Sequence, residues 1–195
     1  MDTTIKYFTQ DELRRLFNAI KNSGDRHALR NLCIFRVAYR CGLRASEIRL
    51  LKLEYYNKSK GELYCKRLKS SWNNTIALDK QTVKILNQYI KEYGVKEESE
   101  VLFKSQEQNP ISRKMLDYLM KRYCQMAKIK DESKWHFHCL KHSTAVHLAE
   151  SELDIKEVQF WLGHKSVNST LCYFQFTTQQ QKIMLEKLEK HSVLV

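Results

Sequence analysis

The sequence predicts a mainly α-helical fold with a small antiparallel β-sheet. Helix-capping residues stand repeatedly in front of segments whose apolar residues recur every three or four positions. One proline and five glycines in 195 residues are too few for the many tight turns of an all-β fold. We therefore expect a single domain over 1–195, with its core in 9–176 and a C-terminal helix or tail in 177–195.

The first half of the chain contains three predicted helices. Thr9 and Glu12 form a capping-box pattern, so the first helix begins after Thr9. The second runs from about Arg26 to Gly42, because glycine often ends a helix in a left-handed conformation. The third begins near Ala45 and carries apolar residues about one turn apart.

The middle of the chain changes from a helical to an alternating pattern. Residues 62–68 and 75–78 are strand-like segments that flank the polar stretch 70–74, which is typical of a β-hairpin. Two further helices are expected after the capping residues Asp79 and Ser112.

The last third of the chain is again helical in pattern. Helices are predicted over 143–150, over 154–162 behind the capping residue Asp154, and over Gln179–Lys190. The final helix carries an apolar stripe, and we expect it to dock on a neighbouring protomer. Packing of the same stripe against its own domain is the alternative.

The net positive charge of the chain indicates which class of molecule it binds. Lysine and arginine number 34 against 22 acidic residues, which gives a formal net charge of +12. Such a domain is attracted to polyanions, because neutralising phosphates releases their condensed counterions. A cationic protein without a nucleic-acid partner could carry the same charge, so charge alone does not decide.

The six cysteines and the absence of long apolar runs predict the compartment. No Cys-x-x-Cys pair and no secretion signal occur in the sequence, so we expect free thiols in a reducing environment. No apolar run reaches the roughly 18 residues that a membrane helix needs. The sequence therefore predicts a soluble cytoplasmic protein without a membrane partner.

Clusters of reactive residues lie at four places along the chain, and the first is the segment 42–48. Arg44 stands at a predicted helix start, where its guanidinium could bind a phosphate through two hydrogen bonds. Glu47 follows one turn later and could orient it. A surface Arg–Glu pair without function has the same pattern.

The second cluster is the histidine-rich segment 136–142. On a helix, His138 and Lys141 would share a face, and so would His138 and His142. That second spacing also suggests a zinc site. The zinc alternative lacks a third ligand, because the side chain of Cys139 would point away from the two histidines.

Two more clusters lie near the end of the chain. His164 follows a predicted helix end, and Tyr173 stands nine residues later among apolar neighbours. A tyrosine in such surroundings is usually a core residue. Its occurrence together with the other clusters favours a functional role.

The order of these motifs resembles the tyrosine recombinase (phage integrase) family, and the likeness runs from about Thr9 to Phe176. The motifs are Gly-Leu-Arg-Ala-Ser-Glu-Ile, a hairpin lysine, His-x-Leu-Lys-His, Leu-Gly-His and a tyrosine nine residues on. The positions that match the family's catalytic residues are Arg44, Lys69, His138, Lys141, His164 and Tyr173, with Glu47 and His142 as supporting residues.

The resemblance implies the catalytic-domain fold of DNA breaking–rejoining enzymes and a site-specific recombinase that acts on double-stranded DNA. It also implies a 3′-phosphotyrosyl intermediate on Tyr173, with Arg44, Lys141 and His164 holding the non-bridging oxygens. Lys69 would protonate the leaving 5′ oxygen, and His138 would deprotonate or position the tyrosine. No metal, ATP or other cofactor is implied. The expected assembly is a homo-tetramer on two duplexes, associated with the nucleoid.

Lys141 departs from the family, which has an arginine at this position. Lysine keeps the charge but loses the planar fork that binds two oxygens at once. A second departure is that the catalytic pattern begins at once, without the separate DNA-binding domain that most members carry before it. The chain therefore resembles the short recombinases that invert fimbrial promoter segments, or a piece of a longer integrase.

Two other functions remain open at this point. One is a DNA-binding or regulatory protein of the same fold with weakened catalysis, for which Lys141 is the argument. The other is a type IB topoisomerase-like enzyme that relaxes supercoils without a partner duplex. One sequence does not predict the DNA target, the direction of the reaction or the accessory proteins.

Overall fold

The computed structural model describes residues 5–68, 71–174 and 185–190, and these are mainly helical. The longer helices are α1 (Gln10–Lys21), α2 (Ala28–Cys41), α4 (Lys80–Tyr93), α5 (Arg113–Met126), α6 (His138–Ala149) and α7 (Ile155–Leu162), and the short ones are α3 (Ala45–Ile48) and α8 (Asn168–Leu171). Three 3₁₀ turns cover Leu53–Tyr55, Glu132–Lys134 and Cys172–Phe174, and residues 185–190 are also helical.

The predicted hairpin is part of a three-stranded antiparallel sheet. Its strands β1 (Tyr56–Asn57), β2 (Glu62–Cys65) and β3 (Asn74–Ala77) lie in the order β1-β2-β3. Leu63 faces Ile76 across β2 and β3, and both side chains are buried. The two-residue strand β1 was not predicted, because it is too short to show an alternating pattern.

Most helix ends lie where their capping residues predict them. Thr9 and Glu12 form both hydrogen bonds of a capping box, and Asp79, Ser112 and Asp154 cap their helices through their side chains. Helix α6 begins five residues before the predicted start at 143. The buried side chains of Cys139 and Leu140 explain the earlier start, since they extend the packed face into the histidine-rich segment.

Helix α2 lies at the centre of the core and packs against α1, α4 and α6. Gly42 ends it with φ 59°, in the left-handed conformation, and the chain turns directly into α3. All six cysteines are free thiols, as predicted. Within 5–68, 71–174 and 185–190, no helix is long and apolar enough to cross a membrane.

Candidate active site

A cavity of about 520 Å³ brings together side chains from distant parts of the chain. It lies between the start of α3, the start of α5, helix α6 and the turns that follow α7. Five of the six predicted catalytic residues line it: Arg44, His138, Lys141, His164 and Tyr173. The sixth, Lys69, lies outside the described residues.

Glu47 holds Arg44 in place from beneath the cavity. Its carboxylate is fully buried and accepts hydrogen bonds from Arg44 Nη1 at 2.7 Å and from the Arg44 backbone N–H at 2.8 Å. A third bond comes from the backbone N–H of Leu68 at 3.1 Å. Burial alone would raise the pKa of Glu47, but these N–H groups and the charge of Lys141 outweigh it and lower that pKa. The carboxylate therefore stays ionised beside the guanidinium.

Lys141 forms the floor of the cavity. It is only 2% exposed, and its Nζ donates to the backbone carbonyl of Gly42 at 3.2 Å. Burial, with the positive charges of Arg44 and Arg67, lowers the pKa of Lys141 to about 7. This cation therefore changes its charge near neutral pH, which an arginine at the same position would not do.

Tyr173 lines the cavity and is 7% exposed. Its hydroxyl lies 2.9 Å from Nδ1 of His142. The ring of His138, which the sequence had suggested as the group that positions the tyrosine, packs edge-on against the ring of His142, with centroids 4.4 Å apart. The sequence gave His142 only a supporting role, and its imidazole lies within hydrogen-bond distance of the phenol.

Burial controls the protonation of the phenol and its neighbours. It raises the pKa of Tyr173 to about 12, although Arg44 acts in the opposite direction. Burial and the neighbouring His138 lower the pKa of His142 to about 4, so its ring is neutral at physiological pH.

His164 occupies the turn that follows α7. Gly163 ends that helix in the left-handed conformation, with φ 67°, and this directs His164 into the cavity. The Nδ1 atom of His164 lies 3.0 Å from Oγ1 of Thr170, and its ring stacks on the ring of Tyr173 with centroids 6.5 Å apart. Burial and the charge of Lys141 lower the pKa of His164 to about 4.

Three residues at this site were not predicted from the sequence. Arg113 and Asp117, on the first turns of α5, also line the cavity. Ser112 had marked the start of this helix, but nothing in the sequence connected it with the other clusters. Arg67 was read only as part of a strand, although its buried side chain lies 3.8 Å from a carboxylate oxygen of Glu47.

The arrangement can bind a phosphate group and supply a nucleophile. Arg44 and Arg113 carry positive charge, and Lys141 adds a third when protonated, so the cavity favours an anion. Tyr173 places a phenol hydroxyl in the same cavity, which Ser46 and Ser169 also line. Among the described residues, no group of three or more His, Cys, Asp or Glu side chains is placed to hold a metal ion, and the zinc alternative has no support there.

Comparisons with known proteins identify the family to which this chain is similar. A model of the phage integrase family matches residues 6–180. The type 1 fimbriae regulatory protein FimB of Escherichia coli K12 is 31% identical over 169 residues, which are 86% of this chain and 82% of FimB. The tyrosine recombinase XerA of Pyrococcus horikoshii is 29% identical over 185 residues, which are 93% of this chain. The chain spans 61% of the length of that XerA.

A solved structure has the same fold. The XerH site-specific recombinase, bound to a palindromic difH substrate in a post-cleavage complex, superposes with a TM-score of 0.78 at 22% identity. The superposition covers 97% of this chain and 53% of XerH. The predicted mainly helical fold with a small antiparallel sheet is thereby confirmed.

Proposed function

The chain belongs to the phage integrase family, and on that basis we propose that it is a tyrosine-type site-specific recombinase that cuts and rejoins double-stranded DNA. The observation that carries the proposal is the single cavity that holds Tyr173 together with Arg44, Lys141 and His164. A net charge of +12 and the difH substrate in the XerH structure are in keeping with it.

In the first step, the phenol oxygen of Tyr173 attacks the scissile phosphorus. A Tyr–O–P bond forms, the bond from phosphorus to the 5′ oxygen breaks, and the 3′ end stays on the protein. Arg44, Lys141 and His164 hold the non-bridging oxygens, where negative charge increases in the transition state. The phosphodiester energy is kept in the phosphotyrosine, so the reverse step needs neither ATP nor a metal ion.

Two protons must move in this step. The phenol proton passes to Nδ1 of His142, which is neutral and within hydrogen-bond distance. The leaving 5′ oxygen takes a proton from Lys69, the lysine that the family motif assigns to this role. His138 contacts the His142 ring and supports its orientation.

The rejoining step requires a second duplex, and we propose that a homo-tetramer of this chain holds it. The segment 177–195 would dock on the neighbouring protomer. Leu185, in the helical stretch 185–190, is 56% exposed, which leaves an apolar side chain available for a partner. A DNA enzyme of this type would act in the cytoplasm, at the nucleoid.

A second candidate function rests on Lys141. Its ammonium is buried and bonded to Gly42, so phosphate stabilisation could be too weak for turnover. The chain would then bind DNA of the same class as a regulator. Covalent trapping separates the two functions, because a regulator forms no adduct.

The experiment uses nicked suicide duplexes that tile the DNA flanking the chain's own gene. The wild-type protein should form a covalent adduct on at least one duplex, visible in denaturing gels. Tyr173→Phe should bind the same duplex without forming the adduct. Binding by both proteins with no adduct from the wild type would favour the regulator, and an adduct from Tyr173→Phe would exclude this tyrosine as the nucleophile.

A further inference from the structure

The buried arginine of the β-hairpin connects the two halves of the site. We propose that Arg67 is a positioning residue that fixes Arg44 and His164 at the separation that one phosphate requires. The inference rests on the proposed recombinase function and adds to it a residue that does not touch the DNA.

The guanidinium of Arg67 is fully buried and binds the ends of two helices. Its Nη1 donates to Gly42 O at 3.0 Å, and its Nη2 donates to Cys41 O at 2.9 Å. The same Nη2 donates to Trp161 O at 2.9 Å. These carbonyls lie at the C-terminal ends of α2 and α7. Carbonyls at the end of a helix have no hydrogen-bond partner within their own helix. One cation therefore caps two helix C-termini, where the helix dipole also favours positive charge.

The two capped ends are the ones that carry catalytic side chains. Arg44 follows Gly42 by two residues, and His164 follows Trp161 by three. Each connection is a tight turn through a left-handed glycine. The catalytic residue can therefore move little relative to the capped carbonyl. The position of Arg67 thus sets the distance between the two phosphate-binding groups.

Asn74, on the adjacent strand, completes the connection. Its Oδ1 accepts from Arg67 Nε at 3.0 Å, and its Nδ2 donates to Phe160 O at 2.6 Å and to Trp161 O at 2.9 Å. The backbone N–H of Trp72 also donates to Gly163 O at 2.8 Å. The hairpin is therefore held against the end of α7 by side-chain and backbone bonds together.

The packing leaves little room for adjustment at this junction. A Cβ atom on Gly163 would lie 2.4 Å from the backbone oxygen of Trp72 and 3.1 Å from the Arg67 side chain. A lysine at position 67 could not reproduce the connection, since one ammonium nitrogen cannot replace the three nitrogens through which Arg67 contacts Asn74 and the carbonyls of both helices. Glu47, 3.8 Å from Nη1, balances the buried charge.

The test compares Arg67→Lys and Asn74→Ala with wild type on a nicked duplex that wild type cleaves. Arg36→Lys is the matched control, because Arg36 is also mostly buried and pairs with Asp79 at 3.2 Å, but lies outside the cavity. Single-turnover adduct formation is measured at saturating protein, on a native scissile phosphodiester and on a methylphosphonate. The methylphosphonate lacks one charged non-bridging oxygen, so its cleavage depends less on well-placed cations.

Arg67→Lys should bind DNA with unchanged Kd and lose about tenfold or more in rate on the phosphodiester, since small misplacements at a reacting centre have effects of this size. The loss should be clearly smaller on the methylphosphonate. Asn74→Ala should show the same pattern as Arg67→Lys, a loss of rate on the phosphodiester and a smaller loss on the methylphosphonate, and it decides the question if Arg67→Lys does not fold. Arg36→Lys should match wild type on both substrates.

The positioning role would be overturned if wild type cleaves both substrates and the variants lose equal rate on the two, or lose none. That result would leave the recombinase proposal intact. Failure of the recombinase proposal has a different signature, namely that wild type itself forms no adduct through Tyr173.

Discussion

The phenol of Tyr173 and the imidazole of His142 form a neutral pair, with 2.9 Å between the hydroxyl oxygen and Nδ1. The pKa of the phenol is raised to about 12 and that of the imidazole is lowered to about 4, in both cases mainly by burial. Neither group carries charge at neutral pH. Attack on a phosphate therefore has to be accompanied by proton transfer, and His142 lies where it can accept that proton.

His142→Gln should slow adduct formation by about a hundredfold, the lower range for loss of a positioned proton acceptor, without changing DNA affinity. Helix α6 offers a matched control in His147, whose Nδ1 lies 2.9 Å from the hydroxyl of Tyr39 and whose pKa burial also lowers to about 4. His147→Gln removes the same kind of buried pair outside the cavity. Equal rates for the two variants would remove His142 from the mechanism.

Lys141→Arg should change the pH dependence of cleavage. The ammonium of Lys141 is charged below its pKa of about 7 and neutral above it, so phosphate stabilisation weakens as the pH rises through this value. Arginine remains charged throughout and should remove that decline. The measurement is the single-turnover rate at subsaturating protein, which reports groups of the free enzyme. Superimposable profiles for both proteins would contradict a catalytic charge on Lys141.

Lys141→Met should raise stability, most strongly at low pH. The pKa of Lys141 is about 7 in the folded protein against an ordinary 10.5, so the unfolded chain binds more protons between these values. The buried charge therefore lowers the free energy of unfolding by its full amount below about pH 7, and this effect disappears as the pH rises towards 10.5. The Tm difference between Lys141→Met and wild type should be larger at about pH 6 than at about pH 10. A pH-independent difference would show that Lys141 is not buried as a cation.

Arg113→Ala should weaken DNA binding and reduce its salt dependence. Arg113 is exposed at the rim of the cavity, where it can neutralise one backbone phosphate. Loss of one such contact lowers the slope of log K against log salt by about 0.9. Lys84→Ala, on α4 and outside the cavity, is the control and should keep the wild-type slope. A slope for Arg113→Ala equal to that of Lys84→Ala would place the DNA elsewhere.

The features that the sequence predicted are those with a local cause. Thr9, Asp79 and Gly42 mark helix ends through contacts with the next few residues, and the structure confirms all three. The prediction of the candidate site rests on the order of short motifs, which places Arg44 and Tyr173 in the same predicted site.

The features that the sequence could not predict depend on tertiary distances. His142 contacts a tyrosine 31 residues away, and Arg67 binds carbonyls 25 to 94 residues away, so no local pattern reports either contact. The raised pKa of Tyr173 is also a consequence of the fold that the sequence does not show. Charges can be counted in a sequence, but the burial that outweighs them here follows only from the fold.

The most direct test of the account is to identify the atom that carries the DNA in the covalent adduct. The adduct that wild type forms on a nicked duplex is digested with protease and nuclease, and the remaining nucleotide is located by mass spectrometry. We expect a nucleotide joined through its 3′ phosphate to the phenol oxygen of Tyr173. A nucleotide on any other residue, or one joined through its 5′ end, would contradict it.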